Sequence, residues 1–399
     1  MTHVTNEDCW SEGLADLGAR GLRRRLREVA ARQGAHLTVD GRSLICFASN
    51  NYLALADHPA VVAAVREAVA QWGWGAGASR LVCGHMGPHA QLEQRLAAFK
   101  GSEAALVCPT GYHANLAAIR ALAGKGDVVF LDKLNHASII DAARGSGAVV
   151  RVFPHRDCRK LERLLAGAAD ARRRVILTDS LFSMDGDLAD LPRLVELKRA
   201  YAALLCVDEA HATGVLGPHG RGAAELMGVE AEIDVTVGTL SKALGGIGGF
   251  LAGPRSFIDW VVNTAGPFIY TTALPPASCA AALAALDLVE REPARREKLL
   301  ALARHLRGEL SARGWDIGPS VSQIVPVIVG DAERAVSLSA KLEAEGILAP
   351  AIRPPTVPRG QARLRLSLCA DHDPADVDRL LVAMGQERER ASKSCGTAP

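Results

Sequence analysis

The sequence predicts an α/β protein: a mostly parallel central sheet covered by helices, followed by a smaller C-terminal α/β unit. Three observations predict it. First, seven short apolar runs between residues 104 and 252 alternate with stretches of helical periodicity. Runs that are apolar throughout suit strands buried on both faces, and strand–helix alternation suits parallel pairing. Second, polar and ionisable residues follow the ends of these runs, where ligands sit in such sheets. Third, Ile233, Val235 and Val237 read as a strand that ends in Thr239-Leu240-Ser241-Lys242, with Gly245, Gly246, Gly248 and Gly249 close behind. A lysine held at a strand end has a lowered pKa and a nucleophilic amine suited to Schiff-base chemistry. A surface lysine in a flexible glycine loop is the other reading of that stretch. A dinucleotide fingerprint is the weaker reading, because the lysine precedes the glycines and no acidic residue closes a βαβ unit at the usual distance.

The elements follow in order. Residues 11–33 read as one amphipathic helix with a basic patch at Arg23, Arg24, Arg25 and Arg27. Such a charge run is a solvated face or an anion site at a cleft mouth. Residues 36–48 read as a hairpin turning at Asp40-Gly41. His58-Pro59 starts a helix to about Trp72, residues 73–87 are too glycine-rich for a helix, and 90–99 are a short helix. The seven strands are expected at 104–108, 128–131, 149–153, 175–178, 204–207, 235–237 and 250–252. Beyond them, 292–313 and 335–345 read as helices and 323–329 and 362–367 as strands. The expected division is an N-terminal helix and hairpin arm (1–48), a large domain (49–284), a small domain (285–385) and a disordered polar tail (386–399).

Lys plus Arg number 46 against 44 Asp plus Glu, a balance that argues against nucleic acid or an anionic membrane as the main partner. Nine dispersed cysteines without a C-x-x-C pair point to reduced thiols in a cytoplasmic protein, not to a disulfide framework or zinc site. The first ten residues lack the apolar stretch of a secretory signal, and no run is long enough to span a bilayer.

Several chemical groups fall at strand ends. Gly111 and Tyr112 open a helix after the first strand, a turn that offers free backbone N–H groups to an anion. His136, Ser183, Asp208, His211, Thr239 and Lys242 follow later strands. Singly, each has a structural reading as a cap or a satisfied core residue. Together they suit pyridoxal phosphate (PLP), which needs a lysine, a carboxylate for its ring nitrogen, donors for its ring oxygen, and amides or hydroxyls for its phosphate. A metal on Asp208, Glu209 and His211 is a weaker alternative: the spacing matches no helical metal motif, and a metal leaves Lys242 unexplained.

These residues lie in a set of blocks that resembles the α-oxoamine synthase family of fold-type I PLP enzymes over nearly the whole chain. The blocks are SNNYLAL (49–55), NHAS (135–138), SLFSMDGD (180–187), VDEAHATGVLGPHGRG (207–222), TLSKALGG (239–246) and IYTTALPP (269–276). The resemblance implies that Lys242 bonds the cofactor and moves the substrate Cα proton, and that Asp208 pairs with the ring nitrogen. It places His211 and Ser183 at the ring oxygen and His136 against the ring face, where it also orients substrate. Gly111, Tyr112 and Thr239 approach the cofactor, with Thr271 and Thr272 reaching it from a second subunit of a homodimer. Asn50 and Arg365 bind the amino-acid carboxylate, and Arg23, Arg353 and Thr356 serve the substrates. The run 351–368 is most similar to members that condense L-alanine with pimeloyl-CoA or a pimeloyl-acyl-carrier protein. Members using glycine or serine with another acyl-CoA are the alternative, and a non-catalytic partner subunit is a remote one. Asn135 stands before the stacking histidine where many members of that family carry another small polar residue.

Overall fold

The computed structural model describes residues 6–20 and 22–395. It opens with a helix, Asn6–Ala19. The helix expected over 11–33 stops there: residues 22–28 have no regular structure, and Val29 bridges to Val39. Gly13 and Gly18 weaken the helix, and continuing it would set Arg23 and Arg27 as a repelling i,i+4 pair. Arg27 is instead drawn to two carboxylates, donating to Asp40 at 2.7 Å and to Glu343 at 2.7 and 3.0 Å. The hairpin forms as expected from β1 (His36–Val39) and β2 (Arg42–Cys46). Its turn residues Asp40 and Gly41 have φ of 48° and 78°, the positive pair that a two-residue hairpin turn requires.

The central sheet contains β3 (Ala104–Cys108), β4 (Val128–Asp132), β5 (Val149–Phe153), β6 (Arg174–Asp179), β7 (Leu204–Asp208), β8 (Val235–Thr239) and β9 (Gly249–Gly253). Their order is β3-β9-β8-β7-β6-β4-β5. The β4, β5, β6, β7 and β8 ladders are parallel; β9 runs antiparallel to both its neighbours. Successive residues feed opposite faces. Phe130, Ile176, Leu205, Val207 and Phe250 join one core cluster, while Val129, Leu131, Val175, Leu177 and Leu251 join the other. Burial on both faces is why these runs, apart from the largely exposed edge strand β5, lack polar alternation.

The C-terminal part adds β10 (Ile324–Gly330), β11 (Ile347–Leu348), β12 (Ala351–Ile352) and β13 (Ala362–Ser367). Strands β10, β13 and β12 form an antiparallel sheet in that order, and β11 pairs with β2. The last helix is Pro374–Cys395. The tail expected to be disordered from 386 therefore continues this helix to 395; residues 396–399 lie outside the described residues. Val377, Leu380, Leu381 and Met384 are buried and anchor it. Glu387 pairs with Lys341 at 2.7 Å, and the following residues are good helix formers, so polarity alone does not end the helix.

Candidate active site

Parallel pairing sets Asp179 of β6 directly opposite Asp208 of β7, so two buried carboxylates meet at the carboxyl edge of the sheet. The two are held differently. Asn115 Nδ2 donates to Asp208 Oδ2 at 2.7 Å and to Ser138 Oγ at 2.9 Å, and the Ala210 amide donates to Asp208 Oδ1 at 2.8 Å. Asp179 accepts the His136 amide at 2.8 Å. Burial, and then the charge of Asp208, push the Asp179 carboxyl well above the usual carboxylate range. Asn135, the departure noted in the sequence, is a brace here: it donates to Leu177 O at 2.8 Å and accepts the Asp179 amide at 3.2 Å.

Lys242 lies in the tight connection between β8 and β9. Burial lowers its ammonium to about 8, against the opposing pull of Asp208 and Asp179. His136 caps the helix Ala137–Arg144, and burial lowers its pKa. His211 is fully enclosed, with Nδ1 2.7 Å from Tyr52 OH; burial, then Lys242, holds it well below the ordinary histidine range. Both imidazoles are therefore neutral near pH 7.

Together Thr110, Gly111, Asn115, His136, Ser138, Asp179, Asp208, His211, Thr239 and Lys242 line one cavity of about 210 Å³, with Tyr112 at its rim. Two glycines permit one wall. A Cβ on Gly249 would lie 2.5 Å from Thr110 O and 2.6 Å from Gly111 N, and one on Gly111 would lie 3.3 Å from Thr239 Oγ1. The helix Gly111–Leu122, capped by Thr110, thus begins against β8 and β9 with its first-turn amides at the cavity. Thr239 Oγ1 is 2.7 Å from Ser241 Oγ. An anion seat, a lysine of lowered pKa, a carboxylate and a flat neutral imidazole in one cavity fit PLP. No group of three or more His, Cys, Asp or Glu side chains is arranged to hold a metal ion among the described residues.

Other expected residues fall outside the lining of this cavity. Arg365 on β13 reaches Asn50 Oδ1 at 3.1 Å, Tyr52 OH at 3.3 Å and Ser183 O at 2.5 Å. Arg23, Arg353 and Thr356 line a second cavity of about 680 Å³, with Arg24 and Leu17, that shares no lining residue with the first. Ser183 meets Arg365 through its carbonyl, and its hydroxyl is not among the cavity-lining groups. Thr271 and Thr272 line neither cavity; Thr272 bridges to Ser79, and the adjacent Tyr270 is 87% exposed. Tyr52, Asn115, Ser138 and Asp179 are additions to the expected set. Asn115 and Asp179 lie in the strand-end stretches that also hold Gly111 and Ser183, but their pairing with Asp208 and His136 is made only by the fold.

The fold and this lysine-centred edge define a class: the chain belongs to the aminotransferase class I and II family, whose model matches residues 42–384. Serine palmitoyltransferase from S. paucimobilis, solved with bound PLP-myriocin aldimine, superimposes with a TM-score of 0.91 at 33% identity, over 98% of this chain and 99% of that one. In sequence, the 8-amino-7-oxononanoate synthase of Geobacter sulfurreducens is 52% identical over 94% of this chain and 96% of its own. That of Anaeromyxobacter dehalogenans is 49% identical over 93% of each. The solved 8-amino-7-oxononanoate synthase of Francisella tularensis has a TM-score of 0.77 and 29% identity, over 88% of this chain and 99% of that one.

Proposed function

We propose that this chain is a PLP-dependent acyltransferase of biotin biosynthesis that condenses L-alanine with a pimeloyl thioester to give 8-amino-7-oxononanoate. One observation carries the reading: Lys242, Asp208 and His136 share one small cavity, with the Arg365–Asn50 pair linked to it through Tyr52 and His211. Identity near 50% along almost the whole chain supports the particular reaction. The higher shape match to serine palmitoyltransferase favours a second reading, with serine and a longer acyl chain. Shape within a family reports how elements are arranged, whereas substrate choice lies in side chains, so the sequence match weighs more. Arginine is also poorly used against a plain hydrocarbon tail, and Arg23 and Arg353 both line the larger cavity.

Lys242 would hold the cofactor's aldehyde carbon and Asp208 its ring nitrogen. His211 would serve the ring oxygen with Ser183 nearby, His136 would cover the ring face, and Gly111, Tyr112 and Thr239 would seat the phosphate. Thr271 and Thr272 would complete that seat from a partner subunit. When bound, PLP supplies a delocalised sink for the electron pair left on the substrate Cα. Arg365 and Asn50 grip the alanine carboxylate and fix which face of Cα meets Lys242. With its pKa near 8, the lysine amine is poised to take and return the Cα proton. Neutral His136 limits rotation of the reacting centre. The net change joins the alanine Cα to the thioester carbonyl carbon, expels the carrier thiol and releases CO2. Arg23, Arg353 and Thr356 take the far end of the acyl chain. Cys46, Cys83, Cys108, Cys158, Cys206, Cys279 and Cys369 are free thiols, which supports a cytoplasmic setting.

The test is a visible absorbance spectrum of the purified protein, repeated with L-alanine, glycine and L-serine and then with pimeloyl thioester. A band that shifts with alanine, and CO2 release that needs both substrates, is the expected result. Serine with palmitoyl-CoA outperforming alanine would establish the second reading. Lys242→Ala should lose the band and all turnover while melting as a folded protein; retained turnover would refute the assignment.

A further inference from the structure

A second ionic cluster sits beside the cavity, and none of its members has a role in the reaction above. His155, just beyond β5, places Nδ1 3.0 Å from Asp132 Oδ1 and Nε2 2.9 Å from Asp187 Oδ2. The two carboxylates are 2% and 1% exposed. Arg156 completes the cluster through its amide to Asp132 Oδ2 at 2.8 Å and its guanidinium to Asp187 Oδ2 at 3.2 Å. Phe182 packs edge-on against the imidazole at 4.4 Å. Each carboxylate begins or ends a strand-end loop of the candidate site. Asp132 Oδ1 accepts the Leu134 amide at 2.8 Å, and His136 follows two residues on. Asp187 O accepts the Phe182 amide at 3.0 Å, which closes the loop holding Ser183 and Asp185. From that loop, Ser183 O receives Arg365 and Asp185 receives Arg363 at 2.5 Å.

We infer that His155 is a positioning residue: its imidazole bridges Asp132 and Asp187 and fixes the spacing between the loop that carries His136 and the loop that orients Arg365. The inference rests on the function proposed above for its effect on catalysis. Without the bridge, two buried carboxylates face each other with only the half-exposed Arg156 between them, and like charges drive the loops apart. The Arg365 guanidinium loses its aim through the Ser183 carbonyl, and His136 loses the brace on its N-terminal side. Neither loop carries the lysine, so cofactor capture survives.

The experiment compares wild type, His155→Gln, Asp187→Asn and the double variant. Amide hydrogen exchange in the protein as purified should quicken by about tenfold in 132–136 and 180–187 together in His155→Gln. The KM for alanine should rise about fivefold or more, with the KM for pimeloyl thioester and the PLP absorbance unchanged. The double variant should be no worse than His155→Gln, because both changes cut the same tie. A lower melting temperature with unaltered alanine KM, or exchange that quickens in one loop only, would overturn the inference. Wild-type protein inert toward alanine would overturn the proposed function instead, and the exchange comparison would then decide on His155 by itself.

Discussion

At the scale of single residues, the site is a problem of holding charges where water is scarce. Asn115 does this for Asp208. Asn115→Ala removes a hydrogen bond to a charged group worth about 1.5–3 kcal/mol. PLP affinity, measured by dialysis and absorbance, should fall about 10- to 100-fold with the fold intact. Lys242 sets a pH dependence of a definite sign. Only its neutral amine captures an aldehyde, and its folded pKa is depressed to about 8. The rate at which PLP-free protein captures PLP should therefore rise with pH, by about tenfold per unit below 8, and level off above it. Lys242→Arg should abolish the band at every pH. Lys242, Asp208, His136 and His211 were legible because each lies within five residues of the end of an apolar run. Asn115, Tyr52 and Asp179 were not legible as site members, because their partners lie 93, 159 and 43 residues away and only the fold selects them.

At the scale of elements, the sheet was readable strand by strand, since burial on both faces leaves a continuous apolar run. The orientation of β9 was not, because an apolar pentapeptide carries no mark of direction. Element ends were set by tertiary partners. The N-terminal helix yields where Arg27 finds Glu343, and the last helix persists where Glu387 finds Lys341. The contact between β9 and the Gly111–Leu122 helix is a tight joint of the site, backbone against backbone. Gly249→Ala presses a methyl group onto Thr110 O and the Gly111 amide, neither of which can swing aside, and should cost about 1–3 kcal/mol. Thermal unfolding and PLP affinity should both fall. Gly246→Ala, whose nearest neighbour is 3.4 Å away, is the control and should leave both nearly unchanged.

At the scale of the whole molecule, two long-range properties follow. The first is the response to alkali. His155 faces Asp132 from β4, Asp187 from the loop after β6, and Arg156 from its own segment; burial opposes its charge, but these two carboxylates raise it to about 9. Its contribution to stability is therefore fully present below pH about 6.5, the unfolded value, and is lost as pH rises through 9. Urea midpoints of wild type should fall between pH 7 and 9.5 by more than those of His155→Gln. The second is assembly. Thr271 and Thr272 are expected to act in a partner's site. Mixing inactive Lys242→Ala with an inactive Thr272→Val variant should then restore about a quarter of wild-type turnover through mixed dimers. No recovery after subunit exchange would show that Thr272 does not act in a partner's site.

The Arg365–Asn50 contact joins positions 315 residues apart. During synthesis on the ribosome, every side chain that lines the smaller cavity has been made by residue 242, whereas the arginine is added more than a hundred residues later. The side chains of the smaller cavity are thus all in the chain more than a hundred residues before the arginine that meets Asn50, and that contact closes only when the small C-terminal sheet is made.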